Sequence, residues 1–211
     1  MQRLAGILLG VILTGCAASP VEKAQGPLLT PMEEGVAALA RGDNQAAFRF
    51  FERSAKAGNV EGQVRLAQMY SRGQGAPQNY AEAALWNQRA AEQGSPEGQS
   101  LLGAAYSIGR GVPQNYPEAF KWLRLAAEQG NASAQFNLAS LYYLGRGVRK
   151  DYVQALKWFN ISAAHFTSST ERYMALSMVT DVASLMTPAQ VREAHELAVR
   201  WKPVPNAARR S

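Results

Sequence analysis

Residues 80–94, YAEAALWNQRAAEQG, decide the fold because the chain repeats this stretch two more times. Residues 116–130 read YPEAFKWLRLAAEQG, and residues 152–165 read YVQALKWFNISAAH. The tyrosine that opens each copy, and the tryptophan six positions later, therefore recur every 36 residues. A fixed period of this length is typical of stacked helical hairpins. The sequence therefore predicts an all-α solenoid of antiparallel helix hairpins.

The segments between the copies carry glycines and capping residues in the same register. The first glycine of a recurring Gly-x-Gly pair is expected to end the first helix of each hairpin in a left-handed conformation. An asparagine or serine that follows a glycine is expected to cap that first helix. An asparagine or aspartate with a glutamate or glutamine three residues later predicts a capping box at the second helix. The glycines that end the first helices are Gly73, Gly109 and Gly145. The caps of the first helices are Asn59, Ser95 and Asn131, and those of the second helices are Asn79, Asn115 and Asp151.

Aromatic residues recur on both helices of each hairpin, and we expect them to form the core rather than a ladder that stacks ligands. On the first helix a leucine precedes the tyrosine by four positions, so the two side chains share one face. On the second helix the tryptophan lies among alanines. Large aromatic side chains in such surroundings are usually buried. The aromatic residues concerned are Tyr70, Tyr106, Tyr142, Trp86, Trp122 and Trp158.

Together these residues form the pattern Leu-(Gly/Ala)-x-x-Tyr, Gly-x-Gly, Pro-x-Asn-Tyr, Ala-x-x-Trp and Ala-Ala-Glu-Gln-Gly. The pattern resembles Sel1-like repeats, which are relatives of tetratricopeptide repeats, over residues 58–165. The resemblance implies a right-handed superhelix of helix pairs whose first helices line a concave groove. We therefore divide the chain into a tetratricopeptide-like helix pair (30–58), three Sel1-like repeats (59–166), a C-terminal helical cap (167–202) and a disordered basic tail (203–211).

The N-terminus has the pattern of an export signal. Arg3 precedes an apolar run at residues 4–13, which is too short for a spanning helix of about 20 residues. The run ends in Leu-Thr-Gly-Cys, which resembles the lipobox of bacterial lipoproteins. The resemblance implies removal of residues 1–15 and acylation of Cys16, with residues 16–29 as a lipidated cysteine and flexible tether. An uncleaved or ordinary signal peptide is the alternative.

Cys16 is the only cysteine of the chain, so it cannot form a disulfide within the chain. Several acyl chains on one residue are enough for stable membrane anchoring. Ala17 follows Cys16 in place of an aspartate, which by resemblance to enterobacterial sorting favours the outer membrane. The sequence therefore predicts a lipid-anchored protein of the bacterial cell envelope, at the outer membrane and facing the periplasm.

The positive charge of the chain indicates an anionic partner. The formal net charge of the full sequence is +6. An exported protein rarely meets nucleic acid, so no nucleic-acid partner is expected. Anionic lipid, cell-wall polymer or an acidic protein fits the charge better.

No set of residues in the sequence matches a catalytic or metal-binding motif. The two histidines, His165 and His195, are far apart in sequence, and only His195 adjoins a carboxylate, Glu196. The sequence has no His-x-x-x-His, no paired cysteines and no glycine-flanked serine. The Gly-x-Gly pairs lack the lysine-serine pair of a phosphate loop. We therefore expect no enzymatic activity, no metal and no cofactor.

The outward faces of the three first helices remain as the candidate binding surface, which we call the groove surface. Its residues change from basic in the first full repeat to apolar in the third. This gradient fits an extended peptide with an acidic part and a hydrophobic part; an idle, solvated face is the alternative. The groove surface comprises Arg65, Gln68, Arg72, Leu101, Ala104, Ile108, Asn137, Ser140, Tyr143 and Leu144.

Three functional hypotheses follow. The leading one is a non-enzymatic adaptor that binds an envelope protein or peptide on the groove surface. The export signal and the positive charge suggest a second, a peptidoglycan binder or a regulator of cell-wall enzymes. The third is a hydrolase, because some cysteine-rich Sel1-like proteins have been associated with β-lactam binding or hydrolysis. This sequence lacks the paired cysteines of those proteins, which argues against the third hypothesis.

Overall fold

The computed structural model describes residues 29–204. The predicted signal peptide, Cys16, nearly all of the tether and the end of the basic tail lie outside the described residues. Within residues 29–204 the chain forms ten helices and no strand. None of these ten helices is long and apolar enough to cross a membrane.

The helices follow one another as a linear stack of hairpins. They are α1 (Pro31–Ala40), α2 (Asn44–Lys56), α3 (Val60–Arg72), α4 (Tyr80–Glu92), α5 (Pro96–Ile108), α6 (Tyr116–Glu128), α7 (Ala132–Leu144), α8 (Tyr152–His165), α9 (Ser169–Ala183) and α10 (Pro188–Arg200). From α1 to α8 each helix packs against the next, and α9 and α10 both pack against α8. The predicted all-α solenoid with a C-terminal helical cap is confirmed.

The helix boundaries of the three full repeats lie where the sequence predicts them. The side chains that cap α3, α5 and α7 accept hydrogen bonds of 2.8, 3.1 and 2.9 Å from the backbone N–H three residues later. Those that cap α4, α6 and α8 accept the equivalent bonds at 3.1, 3.1 and 3.0 Å. Gly73, Gly109 and Gly145 end the first helices with φ angles of 67°, 71° and 68°. The predicted N-caps and left-handed glycines are therefore confirmed.

The predicted capping boxes of α4, α6 and α8 are wrong in one of their two hydrogen bonds. In a capping box the third helical residue bonds back to the backbone N–H of the cap. In Asn79, Asn115 and Asp151 that N–H donates instead to a tyrosine carbonyl of the preceding helix, at 3.0, 2.9 and 3.1 Å. The carbonyls belong to Tyr70, Tyr106 and Tyr142. Complete capping boxes form at α1 and α10.

The core of the stack falls into two large clusters of buried side chains and a small third one between α8 and α9. One large cluster joins α1 to α4 around Phe51, and the other joins α6 to α10 around Leu123 and Phe159. The intervening helix, α5, buries one leucine outside both large clusters and packs a tyrosine against the second of them. Of the six aromatic residues predicted to be core, Trp86 and Trp158 are buried, whereas the other four are half-buried.

A ladder of side-chain hydrogen bonds, one in each of the three full repeats, joins the two helices of a hairpin at a buried glutamine. Gln93 Nε2 donates to Gln63 Oε1 at 2.8 Å, and the equivalent glutamines one repeat later form the same bond at 2.7 Å. In the third repeat His165 takes the place of the donor, with its Nδ1 3.0 Å from Gln135 Oε1. The ladder therefore satisfies side chains that would be costly to bury alone.

The second glycine of each Gly-x-Gly pair brings neighbouring hairpins into backbone contact. A Cβ atom on Gly111 would overlap the carbonyl oxygen of Tyr80, and one on Gly147 would overlap that of Tyr116. A glycine therefore lets the loop of one hairpin lie directly on the first turn of the preceding second helix. The Arg110 guanidinium then covers the same tyrosine, 5.0 Å from the centroid of the Tyr80 ring.

Alanine substitutions at Gly109 and Gly111 should separate the two roles of the pair. An alanine Cβ at residue 109 would lie 3.3 Å from Gln114 Cβ, so its cost is mainly that of a left-handed backbone, about 1–2 kcal/mol. Gly111→Ala adds a clash with a backbone carbonyl, and we expect it to lower the free energy of unfolding by roughly 2–4 kcal/mol. Urea unfolding followed by circular dichroism measures both losses. Equal losses would contradict the close contact between hairpins.

Candidate functional site

Half of the groove surface lines one cavity. The cavity lies between α3, α4 and α5 and has a volume of about 310 Å³. We call it the α4–α5 cavity. The groove-surface residues that line it are Gln68, Arg72, Leu101, Ala104 and Ile108.

The other five groove-surface residues lie outside this cavity, Arg65 on α3 and the remaining four on α7. Arg65 forms an ion pair of 3.3 Å with a glutamate one turn earlier. Ser140 Oγ donates to a backbone carbonyl one turn earlier at 3.0 Å, and the Tyr143 ring lies 5.9 Å from that of the tyrosine that opens α8. Asn137 lines a smaller cavity of about 170 Å³, and Leu144 is exposed. The structure therefore brings five of the ten groove-surface residues together in the α4–α5 cavity, and the other five do not line it.

The α4–α5 cavity has apolar walls and a basic mouth. Its wall contains five alanines, which lie on three different helices: Ala67, Ala83, Ala84, Ala104 and Ala105. Arg72 and Arg110 line it and are exposed, so they lie at its opening. No aspartate or glutamate of the described residues lines it. The cavity can therefore accept an apolar group with a negative charge beside it.

Asn87 on α4 is the residue of this cavity that sequence reasoning missed. It is only 7% exposed, and its Oδ1 is buried without a hydrogen-bond partner in the described part of the chain. A buried acceptor without a partner costs about 1–3 kcal/mol, and such groups are uncommon in native proteins. A comparison of the repeats would have found it, because apolar residues occupy the equivalent positions 36 residues apart. They are Phe51, Leu123 and Phe159, and all three are fully buried.

A second cavity, of about 610 Å³, brings together the two histidines beside the C-terminal cap. His165 and His195 both line it, although they are far apart in sequence. The His165 ring also packs against Trp201, with 5.3 Å between the ring centroids. No aspartate, glutamate or cysteine of residues 29–204 lines this cavity, and no three potential metal ligands of these types cluster there. The contacts of His165 are those of a packing residue.

Burial in the stack shifts the pKa values of three side chains, whereas the lowered pKa of Glu33 comes from its hydrogen bonds with Thr30 at the start of α1. Burial raises the pKa values of Tyr70 and Tyr142. Burial lowers the pKa of Lys157, whose Nζ lies 4.6 Å from the centroid of the Trp158 ring. None of these residues lines the α4–α5 cavity. The shifts of Tyr70, Tyr142 and Lys157 therefore report helix packing.

The repeats identify the family of the protein. Four consecutive segments, residues 32–59, 60–95, 96–131 and 132–165, match the model of the Sel1 repeat. Because these matches cover more than half of the chain, the protein belongs to the Sel1 repeat family. Each segment contains one hairpin, and the first of them is the helix pair that its sequence alone describes as tetratricopeptide-like. Sel1 repeats generally mediate protein–protein interactions.

Solved bacterial structures share the fold. A Sel1 repeat protein from Oxalobacter formigenes is 26% identical, with a TM-score of 0.68 over 82% of this chain and 68% of that one. A protective antigen of uropathogenic Escherichia coli displaying an SLR fold is 26% identical, with a TM-score of 0.57 over 85% of this chain. This chain spans about half the length of that antigen, 47%. No curated protein sequence matches this chain.

Asn87→Leu should stabilise the protein. The substitution gives α4 the residue that α6 has at this position and removes an acceptor without a partner, so we expect the free energy of unfolding to rise by about 1 kcal/mol or more. Gln99→Leu is the matched control, because the Gln99 amide donates to the Ala91 carbonyl at 3.2 Å and accepts from Gln129 at 2.7 Å. The control should lose about 1–3 kcal/mol. Chemical denaturation measures both, and a loss with Asn87→Leu would show that Asn87 supports the fold.

Proposed function

We propose that this protein is a non-enzymatic adaptor that binds a partner protein or peptide on the groove surface. The observation that carries the proposal is the α4–α5 cavity, in which five of the ten groove-surface residues meet. Its volume of about 310 Å³ lies at the lower end of the range of about 300–1,000 Å³ for ligand sites. Stacked repeats present such a surface on rigid helices.

The composition of the cavity supports binding rather than catalysis. Its lining residues within the described chain include no carboxylate, histidine or cysteine. Among the described lining residues, the Tyr80 phenol is the one group of the types that commonly act as a general acid or base, and no second such group lies in the cavity to work with it. The polar groups that line it are amides, hydroxyls and guanidinium groups, which suit the main chain and the carboxylates of a peptide.

The adaptor is anchored in the bacterial outer membrane by lipid on Cys16, and it faces the periplasm. The support for this part of the proposal is the sequence alone: the apolar run, the Leu-Thr-Gly-Cys motif and Ala17. Residues 17–29 would span about 40 Å when extended, which lets the repeats reach partners beyond the lipid headgroups.

Metabolic labelling with palmitate tests the anchor. We expect the native protein to incorporate the label and to fractionate with the outer membrane, because the acyl chains require the Cys16 thiol. Cys16→Ser should incorporate no label. An unlabelled native protein would favour an ordinary or uncleaved signal peptide instead.

Crosslinked affinity capture from detergent-solubilised envelopes tests the groove surface. The bait Arg65→Glu/Arg72→Glu reverses two charges of this surface. The control bait Lys121→Glu/Arg124→Glu reverses two exposed charges on α6 and changes the net charge equally. Loss of exposed ion pairs costs less than about 1 kcal/mol each, so all baits should melt alike. We expect one protein to be captured by the native and control baits and lost with the groove-surface bait.

Two other outcomes would count against the adaptor. Equal capture of the same protein by all three baits would move the binding site off the groove surface. Recovery of peptidoglycan fragments alone would favour the cell-wall hypothesis.

A further inference from the structure

The α4–α5 cavity exists because one hairpin interface lacks side chains that fill the other interfaces. Counted at 36-residue intervals, three cavity-lining positions are small or polar here and large and apolar in both neighbouring hairpins. The three positions are Ala84 (Phe48 and Phe120 in the neighbours), Asn87 (Phe51 and Leu123) and Ala105 (Met69 and Leu141).

A missing aromatic ring defines part of the empty space. Phe48 packs edge-on against the tyrosine of the next helix, with 5.1 Å between ring centroids. Phe120 makes the same contact at 5.4 Å. Between these two interfaces, Ala84 can offer no ring to Tyr106. An aromatic side chain from a partner could therefore take the place that phenylalanine occupies on either side.

Asn87 and two arginines define the polar chemistry of the occupant. Asn87 Oδ1 needs a hydrogen-bond donor, and the described chain supplies none. A peptide main chain carries such a donor at nearly every residue. Neither Arg72 nor Arg110 forms an ion pair within residues 29–204, although both line the cavity. An acidic side chain next to the aromatic one would meet these guanidinium groups at the mouth.

We infer that the α4–α5 cavity is an anchor pocket for one aromatic side chain of the partner, an inference that rests on the proposed adaptor function. Rotation of the Asn87 side chain, whose Oδ1 is closed to solvent in the free protein, lets a peptide N–H donate to this oxygen, and an adjacent acidic residue pairs with Arg72 or Arg110. The volume of about 310 Å³ is sufficient, since a dry cavity of about 150 Å³ already binds benzene. Aromatic side chains in such pockets commonly carry most of the binding energy of an interface.

Ala84→Phe closes the pocket with the residue that the neighbouring hairpins use. Its ring can pack against Tyr106, so the melting temperature should stay level or rise, while peptide affinity should fall by about 30-fold or more.

Arg110→Ala removes one positive charge from the mouth. Arg146→Ala is its matched control, because that guanidinium lies over Tyr116 at 5.3 Å in the same way but does not line the cavity.

Random dodecapeptides displayed on phage, selected on the full-length protein in detergent, supply the probes. Enriched peptides are synthesised with a fluorescent label and titrated with each variant by fluorescence anisotropy. We expect them to share an aromatic residue beside an acidic one. They should bind Arg146→Ala like the native protein, Arg110→Ala several-fold more weakly and Ala84→Phe about 30-fold more weakly. Asn87→Leu, which adds no ring, should weaken binding about tenfold and serves if Ala84→Phe fails to fold.

The outcomes separate the pocket from the adaptor function. Peptides that bind Ala84→Phe and Asn87→Leu as tightly as the native protein would overturn the pocket and leave the adaptor function standing. Peptides that depend on residue 84 but share no aromatic residue would overturn the proposed occupant. If no peptide is enriched over an unrelated surface, the adaptor function fails and the pocket with it.

Discussion

The approach of Gly111 to the Tyr80 carbonyl, repeated between Gly147 and Tyr116, sets the spacing of the array. At these points the loop of one hairpin lies on the backbone of the preceding one, with no side chain between them. Changes in core side chains therefore cannot move the hairpins closer together. The α4–α5 cavity persists for this reason. The side chains around Ala84 are smaller than their equivalents in the other interfaces, but the backbone contact at Gly111 keeps the hairpins at the same distance.

The features that could be predicted from the sequence are those that depend on residues a few positions apart. The N-caps and the left-handed glycines belong to this group, because the cap and the N–H that it accepts from lie within one helical turn. The second hydrogen bond of the capping boxes, from the N–H of the cap to the third helical residue, does not belong to this group. The N–H of Asn79 finds the carbonyl of Tyr70, an acceptor on the preceding helix that the chain brings near only when the hairpin closes.

The candidate site could be predicted only in part, because both the first helices and a second helix of the hairpins line it. Positions such as Gln68 and Leu101 follow from the register of the first helices. Ala84 and Asn87 lie on α4, the second helix of its hairpin. The alanine-rich stripe of this helix predicts that its residues belong to the core rather than to a binding site. The departure of Asn87 from its apolar equivalents is visible when the repeats are aligned, but the absence of a partner for its Oδ1 needs the folded chain. The glutamine ladder shows the contrast, since the buried amides of Gln63 and Gln99 accept hydrogen bonds from Gln93 and Gln129 within their own repeats.

The division of the core on either side of α5 also bears on how the protein unfolds. The stability of a repeat array is approximately a sum of repeat terms and nearest-neighbour terms. We therefore expect cooperativity to be weakest at the α4–α5 interface, where small or polar residues replace the large apolar side chains of the other interfaces. Because α5 packs more extensively on α6 than on α4, we expect the segment up to α4 and the segment from α5 onward to behave as two folding units. A side chain seated in the cavity would couple these units, so that partner binding also governs whether the array unfolds in one step or two.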